Sequence, residues 1–70
     1  MIVITYHDLN QNLKTEGYFD NAADAEKAVE ALIANGAAMS GDIYWNEDDV
    51  HKAAIWDEKG NKSYTPVGII

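Results

Sequence analysis

Asp42-Ile43-Tyr44-Trp45-Asn46-Glu47-Asp48-Asp49-Val50-His51-Lys52-Ala53-Ala54-Ile55-Trp56-Asp57-Glu58 holds both tryptophans, one of the two histidines and six of the twelve acidic residues. It reads as a β-hairpin, with strands near Ile43–Trp45 and Val50–Asp57 and a turn from Asn46 to Asp49. A four-residue loop there sets Trp45 opposite Val50, Tyr44 opposite His51 and Ile43 opposite Lys52. Downstream, Asp57-Glu58-Lys59-Gly60-Asn61 is a second tight turn in which Gly60 supplies the positive φ. It sets Trp56 near Lys62, Ile55 near Ser63 and Ala54 near Tyr64. A last strand runs from Lys62 toward Val67, and Pro66, which has no N–H for a ladder, puts that strand at a sheet edge.

Side chains alternate along a strand, so these pairings define two faces. One holds Ile43, Trp45, Val50, Lys52, Ala54, Trp56, Lys62 and Tyr64. The other holds Tyr44, His51, Ala53, Ile55, Thr65 and Val67. Lysine is almost never fully buried unpaired, which argues that the tryptophan face is solvated and that Trp45, Trp56 and Tyr64 form an exposed aromatic patch. The competing arrangement puts both tryptophans in the core, with the lysines snorkelling out to water. A one-residue slip in either turn exchanges the two faces.

Upstream, Ala37-Ala38-Met39-Ser40-Gly41 leads back to a helix. Apolar residues recur at Ala25, Ala28, Val29, Leu32 and Ile33, the spacing of one helical face. Asp20 or Asn21 caps its start, and Asn21 with Asp24 resembles a capping box. Asn35-Gly36 ends it, with Gly36 free to turn left-handed. Ala22 to Asn35 makes a rod of about 21 Å. Before the helix, residues 2–7 read as a strand with Ile2, Ile4 and Tyr6 on one face and Val3, Thr5 and His7 on the other. A turn over 8–12 leads to a second strand, Leu13 to Phe19. There Leu13, Thr15, Gly17 and Phe19 share one face; Lys14, Glu16 and Tyr18 share the solvated one. The order β-β-α-β-β-β predicts an α+β, two-layer domain covering 1–70, an antiparallel or mixed sheet with one helix on one face.

Seventy residues give a marginal core, of the kind that small chains often reinforce with disulfides, metals or oligomerisation. The chain has no cysteine, which removes disulfides and thiolate metal sites and fits a reducing cytoplasm. Ten of its apolar residues are alanines, so a homodimer is expected as one source of further buried area. No signal peptide or membrane span is readable. With five lysines, no arginine and a net charge of −7, the chain repels nucleic acid and anionic membranes and attracts basic protein surfaces.

The inventory argues against an enzyme. Ser40 and Ser63 lie outside any nucleophile context, and no neighbour in sequence orients His7 or His51 as a base. Glu47, Asp48, Asp49 and His51 offer hard ligands but miss the calcium-loop pattern, and no cofactor or metal is expected. The remaining expectation is an acidic protein-binding module that blocks the basic, nucleic-acid-binding surface of a partner by charge mimicry. Its contact residues would be Tyr44, Trp45, Glu47, Asp48, Asp49, Trp56, Asp57, Glu58 and Tyr64, with Asp20 and Asp24 adding charge. In general make-up (small, acidic, cysteine-free, without catalytic residues) the chain resembles phage-encoded inhibitors of bacterial defence nucleases such as anti-CRISPR proteins, a resemblance of composition. The alternative is a self-associating structural or accessory domain that dimerises through the open face of its sheet.

Overall fold

A computed structural model describes residues 1–48, 50–57 and 59–69, with Gly68 and Ile69 by their backbone. The elements follow the expected order: β1 (Ile2–His7), β2 (Leu13–Phe19), α1 (Ala22–Ala34), β3 (Ile43–Glu47), β4 (Val50–Trp56) and β5 (Lys62–Ile69). All strand pairs are antiparallel, in the order β2-β1-β3-β4-β5. The strand carrying Pro66 therefore lies at an edge, as its missing N–H requires.

The helix forms where its local signals place it. The Asn21 side chain accepts from the Asp24 N–H at 2.9 Å and donates back to the Asp24 carboxylate at 3.1 Å. At the other end Gly36 takes φ +70, with Gly36 N–H bonded to Ile33 O and Ala37 N–H to Leu32 O, the two bonds of a Schellman motif. Ala25, Val29 and Leu32 are its buried residues. Among the described residues no helix is long and apolar enough to cross a membrane.

Two hairpins close with the same device. The Asp8 carboxylate accepts from the Asn10 and Asn12 N–H groups, both at 2.9 Å, and the residue before Asn12, Gln11, has φ +67. The Asp57 carboxylate accepts from Lys59 and Asn61 N–H at 2.9 and 2.8 Å, and Gly60 before Asn61 has φ +84. In both, backbone bonds join the Asp N–H to the Asn carbonyl and the left-handed residue's N–H to the Asp carbonyl.

The sheet faces differ from the expected ones in which side the helix covers. The buried cluster joins Ile2, Ile4, Ile43, Trp45 and Ala54 of the sheet to Ala25, Val29 and Leu32 of the helix, with Phe19, Trp56 and Tyr64 packed against it. Trp45, only 9% exposed, and its neighbours Trp56 and Tyr64 therefore form no open aromatic patch. The reason lies in the pairing of β1 with β3, which sets Ile4 opposite Trp45 and Tyr6 opposite Ile43. This side carries Ile2, Ile4, Ile43 and both tryptophans, so covering it removes the most apolar area from water. Lys62 does not prevent this. It reaches across Trp56, with Nζ 4.6 Å from the ring centroid, and pairs with Glu26 at 3.2 Å and with Glu30, both on the helix. The ammonium thus lies over the indole, a cation–π contact, while the helix carboxylates pair its charge.

Two turns also differ in detail. β3 and β4 extend to leave two residues between them, so Trp45 pairs with Lys52, Tyr44 with Ala53 and Asn46 with His51. This two-residue shift leaves the face assignments unchanged. In β2 the register shifts between Gly17 and Thr15, a bulge at Glu16. Leu13 and Thr15 consequently pair with His7 and Thr5 on the open side, apart from Gly17 and Phe19.

Candidate interaction surface

The helix covers one side of the sheet, and the other is built from the alternate residues of all five strands. β1 supplies Val3, Thr5 and His7; β2 supplies Leu13, Thr15 and Tyr18; β3 supplies Tyr44 and Asn46. β4 and β5 add His51, Ala53, Ile55, Ser63 and Thr65. None of these positions bears a carboxylate or an ammonium group, although the chain carries twelve acids and five lysines. Several apolar groups stand open to water here, with Leu13 64% and Val67 51% exposed. A concavity of ≈ 650 Å³ is lined by Val3, Thr5, His7, Leu13, Tyr44, Asn46, His51 and Val67.

At its centre Tyr44 joins the two histidines. The phenol oxygen lies 3.1 Å from His7 Nδ1, and the two rings meet edge-on at 5.4 Å between centroids. His51 stacks on the other side of Tyr44 at 5.0 Å and 17°. Asn46 donates through Nδ2 to the Val3 carbonyl at 3.0 Å and to Thr5 Oγ1 at 3.1 Å. That orientation turns the Asn46 Oδ1 toward His51 Nδ1. Since an amide oxygen only accepts, His51 Nδ1 is the donor in this pair. The network spans β1, β3 and β4.

The side chains joined in this network are two imidazoles, a phenol, an amide and the hydroxyl of Thr5, which accepts from Asn46. Among the described residues no group of three or more His, Cys, Asp or Glu side chains is placed to hold a metal ion.

The residues singled out from the sequence are dispersed. Tyr44 lies on the open face, but Trp45, Trp56 and Tyr64 lie on the covered one. Burial pushes the Tyr64 phenol above its ordinary range, assisted by Glu26. Glu47 accepts from the Trp45 indole N–H at 3.1 Å, and Asp48 is exposed in the turn with φ 54. Asp57 is occupied with its own turn, and its bonds from Asn61, both backbone and side chain, hold its carboxyl below the usual range. Asp20 and Asp24 are exposed at the helix start. Asp49 and Glu58 lie outside the described residues. The cluster of Thr5, His7, Asn46 and His51 was missed, although alternation had placed Thr5 with His7 and Tyr44 with His51. What was lacking was the β1–β3 pairing that brings those two sets to one face. In comparisons with known proteins, no family model, no curated protein and no solved structure matches the chain.

Proposed function

We propose that the chain is a non-catalytic protein-interaction domain that works through the open face of its sheet, against a surface as free of charge as its own. The segregation of charge carries this reading. In an antiparallel sheet with one solvated side, that side ordinarily alternates polar and charged residues with the core. Here, among the described residues of a chain of net charge −7, the carboxylates lie on the helix, in the turns and loops, at the edge-strand bulge and, at Glu47, on the covered side of β3. Uncharged, partly apolar and aromatic surface is the composition of an interface centre. Ile55→Lys and Val67→Glu place a charge at exposed positions of this face. Both are expected to preserve the far-UV circular dichroism and to abolish the protein's association in pull-down and light scattering. Association that survives both substitutions would sink the proposal.

A second reading rests on the charge itself: an inhibitor that occupies the basic, nucleic-acid-binding surface of a partner, as the compositional resemblance to anti-CRISPR proteins suggests. The exposed carboxylates of Asp20, Asp24, Glu47 and Asp48 support it. The tryptophan anchors do not, because they are in the core, and Lys62 offsets Glu26 and Glu30. Binding by charge alone weakens steeply with salt, so capture of a basic partner should fall between low and high ionic strength and fall again in a Glu47→Gln, Asp48→Asn variant. For either reading we place the domain in the cytoplasm, on its cysteine-free composition.

A further inference from the structure

We infer that the occupant of the open face is a second copy of this chain, packed sheet against sheet about a twofold axis. The inference rests on the reading that this face is the contact surface, and it names the partner. A twofold contact sets each patch against itself. In a chain of net charge −7, most surfaces would then bring like charges together. The helix side is less favourable, since Asp24, Glu26 and Glu30 there outnumber Lys27 and Lys62. The open face passes, because its register positions carry no charged group. A basic partner, by contrast, is drawn to the carboxylates and gains nothing here.

Area and hydrogen bonding agree with a second copy. Five strands about 4.8 Å apart, each about seven residues long, make a face roughly 24 Å on a side, on the order of 550 Å². Two copies would remove about 1,100 Å² from water, just above the roughly 1,000 Å² that a specific interface needs. The dimer is therefore expected to be weak, with a dissociation constant on the order of micromolar. Tyr44, Asn46 and Thr5 already bond within their own chain, so covering them strands few polar groups. Side chains of a second sheet about 10 Å away interdigitate with the first, which is how the concavity beside Leu13 and Val67 would be filled.

Sedimentation equilibrium over micromolar to millimolar concentrations, at low and high salt, tests this. The wild type should pass from monomer to dimer, and salt should strengthen the dimer by screening the repulsion between two chains of charge −7. Ile55→Lys and Val67→Glu should each weaken it at least tenfold. Concentration-dependent amide shifts in the wild type should map to β1, β3 and β4 around Tyr44, a readout independent of any variant. A wild type that is monomeric throughout overturns the second copy. In that case, loss of a heterologous protein in the two variants would leave the interaction-domain reading standing. A dimer that maps to the helix, or that both variants leave intact, overturns the second copy; if heterologous association is also indifferent to the variants, both readings fall.

Discussion

Gln11 and Gly60 occupy the same place in two copies of one turn, and only one of them suits it. Each follows an Asp whose carboxylate gathers two backbone N–H groups, and each takes positive φ, +67 at Gln11 and +84 at Gly60. A side chain in that region costs about 1 kcal/mol or more, part of which glycine gives back as unfolded-chain entropy. Gln11→Gly is therefore expected to raise stability by up to about 1 kcal/mol in urea unfolding, and Gly60→Ala to lower it by about 1 kcal/mol. The two aspartates titrate with the fold. Backbone bonds from Asn12 lower the Asp8 carboxyl, aided by Lys14, and bonds from Asn61 lower Asp57. A carboxyl lowered in the folded state contributes stability above its unfolded value and loses it as pH falls through the folded one. Stability should thus decline below about pH 4, and the doubly substituted Asp8→Asn, Asp57→Asn protein should show a flatter decline of melting temperature with acid. An unchanged acid limb would show that these turns are not what titrates. The Gly60 turn was legible because glycine announces positive φ; the Gln11 turn was legible only as a cluster of Asn and Asp.

At the scale of the element, the helix and the sheet were legible to different depths. The helix is a local object. Its cap, its apolar period and its Gly36 stop all lie within 16 consecutive residues, and the structure departs from none of them. Strand faces depend on partners far away in sequence. The bulge at Glu16 sends Leu13 and Thr15 to the side opposite Phe19, and the covered side of β3 follows from β1, some forty residues earlier. Reading β3, β4 and β5 alone left the lysines as the deciding residues, and Lys62 resolves its position through helix carboxylates that no strand pattern contains. Val29, fully buried on the helix face, should cost about 2 kcal/mol when cut to alanine, a large part of the stability of a domain this small. Lys62→Met should keep an apolar chain beside Trp56 and lose the ammonium, with its ion pairs and its contact with the ring. It is expected to melt closer to the wild type than Lys62→Ser, which loses both; equal losses in the two variants would mean that the carboxylate pairing, and not the covering chain, matters.

The molecule as a whole is two consecutive pieces of chain laid side by side. Residues 1–36 make β1, β2 and α1, and residues 42–69 make the meander β3-β4-β5. The pieces share one ladder, β1 with β3, and a core to which each contributes part: Ile2, Ile4, Val29 and Leu32 from the first, Ile43, Trp45 and Ala54 from the second. Neither half can bury its apolar side without the other, which is why the open-face cluster of His7, Tyr44 and His51 exists only in the assembled sheet. The covalent join runs through 37–41, where Ala38 is buried but Met39 is 63% exposed. A chain divided after Met39 should therefore behave as a complementing pair. Each fragment alone should be unstructured, and an equimolar mixture should recover the circular dichroism of the intact chain. Both tryptophans fall in the second fragment, so the first is silent in tryptophan fluorescence and can be titrated in as an invisible ligand. A blue shift that saturates at one equivalent would report the closing of the β1–β3 seam, and its absence at millimolar fragment would mean that the join at 37–41 is required for the halves to meet.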